Sequence, residues 1–109
     1  DAGMNDLARP AIYDAYHAIV PVKVDGARET VDVVGPICES SDVFGKAREL
    51  PACREGDLLA ICSAGAYGFS MASYYNGRVR PAEVMVEDSN YKLIRHRESV
   101  DDLLRNQIV

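Results

Sequence analysis

A chain of 109 residues, 48% hydrophobic and 27% charged, has the size and composition of one folded domain with one modest core, and this excludes a disordered segment. The formal charge of −5 argues against nucleic acid or an anionic membrane as partner, no apolar run reaches the roughly 20 residues that cross a bilayer, and no signal-peptide pattern is read. Cys38, Cys53 and Cys62 cannot all pair, no CxxC occurs, and His17 and His96 lack metal-ligand spacing, so the expectation is reduced thiols in a cytoplasmic setting, with no structural metal.

The opening "DAGMN" reads as a turn leaving a strand that lies outside the sequence, so a fragment of a longer polypeptide is expected. "NDLARPAIYDAY" (5–16) places Leu7, Ile12 and Tyr16 loosely on one face, with Pro10 suited to a first helical turn. "AIVPVKV" (18–24) alternates Val20, Val22 and Val24 against Pro21 and Lys23, the period of an edge or bulged strand. The turn "DGAR" (25–28) then leads into "ETVDVVGPI" (29–37), where Val31 and Val33 alternate with Thr30 and Asp32, and the two strands are predicted to form a hairpin. "SSDVFGKARELP" (40–51) reads as loop with one helical turn.

"LLAICSAG" (58–65) is a continuous apolar run, the pattern of a strand buried on both faces. "GAYGFSMASYYNGR" (65–78) is rich in small residues and tyrosine. "RPAEVMVED" (80–88) and "YKLIRHR" (91–97) predict a second hairpin around Ser89-Asn90, and "SVDDLLRNQI" (99–108) a short helix with Ser99 and Asp102 as a capping-box pair. The sum is about five strands and two short helices without βαβ alternation, a mainly β barrel or sandwich.

Four places carry candidate chemistry. "GPICES" puts Cys38 beside Glu39 after a Gly-Pro turn, with Ser40 and Asp42 following. A lone cysteine is more often an inert small hydrophobe. Here the polar neighbours argue against deep burial, and an ionised carboxylate beside a thiol favours its neutral, proton-donating form. In an extended segment the two side chains point to opposite sides, so both reach one pocket only if the loop bends. Arg9 and Tyr13 in "RPAIY" share a face if helical, where Arg suits a carboxylate and Tyr adds a hydroxyl; the plainer reading is a solvated Arg and a half-buried Tyr. "GAYG" sets Tyr67 between glycines that let a ligand or a backbone come close, or form an ordinary bulge. "YYNGRVRPAEV" fits a polar pocket edge or a subunit contact.

The ordered set "DAGMNDLARPAIYDAYH", "GPICESSD" and "LPACREGDLLAICSAGAYGFSMASYYNGRVRPAEV" resembles the C-terminal portion of the diaminopimelate decarboxylase family over residues 1 to about 86. Ser41, where glycine is also common, and Tyr74, where Asn is often seen, are small departures. The resemblance implies that residues 1–109 form a Greek-key β-domain whose partner (β/α)₈ barrel, like that of alanine racemase, is absent. It implies pyridoxal 5'-phosphate, held by a Schiff-base lysine outside this chain, and a homodimer with active sites at its interface. The implied reaction converts meso-diaminopimelate to L-lysine and CO₂. Carried over by motif, Cys38 is the proton donor, Arg9, Tyr13 and Glu39 bind substrate, and Tyr67 touches substrate and cofactor. Relatives acting on ornithine typically carry Cys-Asp, so "CES" favours diaminopimelate. The alternatives are a sister ornithine, arginine or carboxynorspermidine decarboxylase, or a non-catalytic β-barrel interaction module. The chain alone is expected to be inactive.

Overall fold

The computed structural model describes residues 1–23 and 26–108, so Val24 of the first predicted strand and Asp25 of the turn after it lie outside the described residues. In chain order the elements are α1 (Arg9–Tyr13), β1 (Ile19–Pro21), β2 (Arg28–Val34), β3 (Val43–Pro51), β4 (Leu59–Ile61), α2 (Gly68–Met71), a 3₁₀ turn (Tyr75–Gly77), β5 (Glu83–Glu87), β6 (Asn90–Arg95) and α3 (Val100–Leu104). Sheet predominates, as the sequence predicts. The strands pair as three antiparallel ladders, β1 with β4, β2 with β3 and β5 with β6, and these ladders do not close a barrel among the described residues.

The central ladder is β2–β3. In β2 the predicted alternation holds, with Val31 and Val33 turned toward the core and Thr30 and Asp32 outward. Its partner corrects the sequence reading: residues 43–51, expected as loop, are the longest strand. Gly45, Lys46, Ala47 and Glu49 are poor strand formers taken singly, but pairing against β2 overrides propensity. Ala47 sits at φ 49° where the register slips, and its N–H donates to Asp32 Oδ1 at 2.8 Å, the local geometry of a bulge.

The predicted hairpin of the first two strands is also corrected. β1 pairs with β4 in the register Val20 to Ala60, because the chain after β2 folds straight back through the "GPICESSD" loop and gives β2 a nearer partner. β4 is shorter than the 58–65 run and is not buried on both faces: Leu58 and Leu59 are exposed, since β4 pairs with β1 along one edge and packs closely on no other strand or helix. The core is correspondingly small, with Leu7, Ile19, Phe44 and Leu50 buried and Val31, Val33, Ile61 and Ala64 packed around them.

The second predicted hairpin is present as β5–β6, turning at Asp88-Ser89 with Asp88 at φ 54°. The C-terminal helix carries its predicted capping box, Ser99 and Asp102 bonding reciprocally. Pro10 lies in the first turn of α1 as expected, and α1 stops at Asp14, which is left-handed at φ 52°. Among the described residues the α-helices number three, one more than predicted, because "GFSM" after Tyr67 closes a single turn.

Candidate functional site

The loop bearing Cys38 and Glu39 is pinned by a residue that sequence reading left without a role. Asp42 is 3% exposed; its Oδ1 accepts the Met4 N–H at 2.7 Å and its Oδ2 the Ile37 N–H at 2.8 Å. The Gly35 N–H donates to the Asp42 carbonyl at 2.9 Å, which closes the loop base. A Cβ on Gly35 would overlap the Asp42 carboxylate, so the close approach requires glycine. One buried carboxylate thus ties the "GPICES" loop to the N-terminal turn that leads into α1.

Within the loop the backbone folds sharply. The Glu39 N–H donates to the Ile37 carbonyl at 2.7 Å, a three-residue turn centred on Cys38, and the Asp42 N–H donates to the Glu39 carbonyl at 3.1 Å. Cys38 is exposed and free, and Glu39 is half-buried. Glu39 Oε1 accepts the Ser41 N–H at 3.2 Å and the Ser40 hydroxyl at 3.4 Å. The Ser41 N–H and then its hydroxyl, with smaller contributions from Ser40 and the Tyr75 hydroxyl, hold the Glu39 carboxyl below its ordinary range against a weaker desolvation effect. Glu39 is therefore an anion at neutral pH, fixed by donors of its own chain.

Arg9 and Tyr67 lie far apart in sequence and are brought together. The Arg9 guanidinium stands over the Tyr67 ring, 5.9 Å from its centroid. Tyr67 occupies the left-handed region at φ 61° just before α2, a conformation that costs a non-glycine residue about 1 kcal/mol. Its ring is 66% exposed. A Cβ on Gly65 or Gly68 would meet nothing within 4 Å, so there is open space beside the ring. Tyr13, at the end of α1, is exposed and makes no hydrogen bond or cation–π contact with Arg9, Glu39 or Tyr67 among the described residues.

The segment after α2 is fastened at both ends. The Ser73 N–H donates to the Asn5 carbonyl at 2.9 Å, joining it to the same N-terminal turn that Asp42 holds. Arg80 forks onto Glu98, with its Nε 3.0 Å from Oε1 and its Nη2 2.7 Å from the same oxygen, and donates to the Tyr74 hydroxyl at 2.6 Å. That guanidinium is the main reason the Glu98 carboxyl lies below its ordinary range. Phe69 of α2 is flanked by two guanidinium groups, Arg80 at 4.9 Å and Arg95 at 3.6 Å from its ring centroid.

None of the five site residues lines the apolar cavity of about 340 Å³ beneath α2, whose walls include Leu7, Phe44, Leu59, Ile61, Phe69 and Pro81. Cys38, Tyr13 and Tyr67 are exposed, and Arg9 and Glu39 are half-buried. A thiol can donate a proton, and a carboxylate and a guanidinium can read the two charges of an amino-acid head group. The open space and exposed ring at Tyr67 also suit a flat aromatic cofactor. Among the described residues no lysine joins the group: Lys23 is exposed in a bend after β1, Lys92 is exposed in β6, and Lys46 lines a separate cavity with Asp14 and Arg48.

The described residues form a small, mostly sheet domain with exposed polar and reactive side chains. The chain belongs to the pyridoxal-dependent decarboxylase family and is its C-terminal sheet domain, the family description that matches residues 1–65. It is similar to the diaminopimelate decarboxylase of Neisseria meningitidis serogroup B, 57% identical over 99% of this chain and 26% of that protein. It is 52% identical to that of Methanocaldococcus jannaschii, over 25% of the latter's length. A crystal structure of the M. jannaschii enzyme in complex with L-lysine superposes with a TM-score of 0.96, covering 100% of this chain and 25% of that one. The chain spans about a quarter of the length of the relatives it matches. No described helix is long and apolar enough to cross a membrane.

Proposed function

We propose that this chain is the C-terminal part of a diaminopimelate decarboxylase, which converts meso-diaminopimelate to L-lysine and CO₂ in the cytoplasm. The observation that carries the reading is the joining of Arg9, Tyr67 and the bent Cys38–Glu39 loop to one N-terminal turn. The likeness to diaminopimelate decarboxylases along the whole chain supports it. The site is a half-site: its open face is completed by a (β/α)₈ barrel, and a homodimer brings the barrel of one subunit to the sheet domain of the other.

Diaminopimelate carries an ammonium and a carboxylate at each end. Arg9 pairs with the carboxylate of the end that does not react, and Glu39 with its ammonium. Tyr13 adds a hydroxyl to the same head group. Tyr67 contacts both substrate and pyridoxal phosphate. When bound, through a lysine outside this chain, that cofactor supplies an electron sink for the pair left as the bond to CO₂ breaks. Cys38, as a neutral thiol, delivers one proton to the α-carbon that has lost CO₂ and regains one from solvent. A sister decarboxylase of simple diamino acids such as ornithine would have no use for a reader of a distal carboxylate.

The deciding experiment is CO₂ release from meso-diaminopimelate by the whole enzyme carrying this chain, with and without Cys38→Ala. Loss of about 10²–10⁴-fold in kcat, at little cost in folding, is expected for removal of a proton donor. Turnover left intact would mean an interaction module. Preference for ornithine would mean the sister decarboxylase. The chain alone, given pyridoxal phosphate and substrate, is expected to release no CO₂.

A further inference from the structure

Tyr67 is held in an unfavourable backbone conformation by a turn that is weak on its own. α2 is a single turn of four residues, and no side chain caps its start. Its bonds are long: the Met71 N–H donates to the Tyr67 carbonyl at 3.3 Å, and the Gly68 N–H to the Gly65 carbonyl at 3.4 Å. A first helical turn fixes several backbone angles for one bond, so it is unfavourable unaided, and a glycine within it adds to the entropy lost. A non-glycine residue left-handed at φ 61° persists only where its surroundings enforce it. The enforcement comes through Phe69, two residues on. Phe69 is half-buried and lines the apolar cavity with Leu7, Phe44 and Ile61. The guanidinium groups of Arg95 and Arg80 stand over its ring, 3.6 Å and 4.9 Å from the centroid. Each cation is itself held. Arg80 forks onto Glu98, and Arg95 of β6 pairs with Glu83 of β5. Each carboxylate orients its guanidinium and leaves the flat face of that group for the ring.

We propose that Phe69 is a positioning residue for Tyr67: the two guanidinium groups over its ring lock the α2 turn, and the locked turn keeps the Tyr67 phenol where it meets substrate and cofactor. The inference rests on the proposed role of Tyr67. Its physical content is pre-organisation. Apolar burial is non-directional, so the cavity holds Phe69 without setting the plane of its ring. Two fixed cations over one ring set that plane, and with it the course of the chain that leads back to Tyr67. The same contact gives the β5–β6 hairpin a part in the site. The hairpin shares little contact with any other strand or helix, yet its Arg95 reaches the residue that steadies Tyr67.

The test compares Phe69→Leu, Phe69→Tyr and Arg95→Met in the whole enzyme. Leucine keeps an apolar side chain toward the cavity and removes the aromatic face, whereas tyrosine keeps that face. In the cofactor-free enzyme, hydrogen exchange at the Met71 amide should quicken about tenfold in Phe69→Leu, which loses both cation contacts, and about threefold in Arg95→Met, which loses one. Phe69→Tyr should stay near the parent, and exchange at the Met4 and Ile37 amides should not move in any of the three. KM for meso-diaminopimelate should rise in the same order, by about threefold to tenfold, because a smaller fraction of the enzyme is competent to bind. In a Tyr67→Ala background, Phe69→Leu should add nothing to KM. Unchanged exchange at Met71 would overturn the proposal, as would an equal rise in KM with and without Tyr67. Equal losses in Phe69→Leu and Phe69→Tyr would also overturn it, since the aromatic face would then not be what holds the turn. Arg95 is exposed, so if Phe69→Leu does not fold, the Arg95→Met exchange rate decides. A parent enzyme that does not turn over meso-diaminopimelate marks a failure of the functional reading, whereas the exchange rates are read without substrate.

Discussion

Two regions of this chain treat their apolar residues in opposite ways. Around β2 and β3 the pattern is satisfied: Phe44, Leu50, Ile19 and Leu7 are buried, and the loop joining the strands is pinned by a carboxylate that water scarcely reaches. In β5–β6 it is not. Val84 faces Leu93 and Val86 faces Tyr91 across the ladder, an apolar face of cross-strand pairs, yet all four side chains are at least half exposed. The hairpin shares little contact with any other strand or helix. The radius of gyration, 15.5 Å, exceeds the roughly 13 Å of a compact domain this size. The first region builds its own environment; the second presents a surface whose sequence is that of a buried one. Of the candidate residues, Cys38 and Glu39 sit in the loop that joins the strands of the first region, where geometry is fixed.

The sharpest way to break this contrast is to remove the pin. Asp42→Ala strips the acceptor from the Met4 and Ile37 N–H groups, and two donors lose their partner in a buried setting. The expected cost is about 2–4 kcal/mol, read as lower thermal stability and faster hydrogen exchange at those two amides, with β5–β6 exchange unchanged. Gly35→Ala should act in the same direction by forcing the carboxylate aside. Unaltered exchange at Met4 and Ile37 would mean that the loop is held by something else.

The hairpin supplies the opposite case. Val86→Thr with Tyr91→Ser trims residues 72% and 80% exposed, so in the chain expressed alone the melting free energy should move by less than about 0.5 kcal/mol. In the whole enzyme the same pair is expected to cost more, about 1–2 kcal/mol, because a covering partner would lose apolar contact. Equal effects in the two settings would show that the face stays in water, and the contrast drawn above would then rest on sequence pattern alone.

How much of this was legible beforehand follows the same division between local and distant causes. The β2 alternation, Pro10 in α1, the second hairpin and the Ser99–Asp102 cap are local patterns, and all are present. β3 was hidden because its strand character comes from β2, not from its own Gly45, Lys46 and Ala47. The exchange of partners between β1 and β2 was hidden because it depends on where Asp42 goes after the chain has folded back. At the site, the loop turns sharply at Cys38, through the Glu39 N–H bond to the Ile37 carbonyl. The approach of Arg9 to Tyr67 has no local spacing to announce it.

The smallest effect concerns the fastening of the segment between the two regions. Arg80 holds the Glu98 carboxyl below its ordinary value of 4.5, so the folded state binds that proton less tightly than the unfolded state does. A depressed carboxylate contributes stability above its unfolded value and loses it as pH falls through the folded one. Glu98→Gln should therefore melt lower than the parent at neutral pH, by no more than about 4 °C for a half-buried pair near the surface. The two curves should converge as pH falls below 4.5, where the parent loses what the variant never had. Curves that stay parallel through that window would place the fastening in the stacking of Arg80 on Phe69 and Tyr74, which does not titrate there, and not in the ion pair.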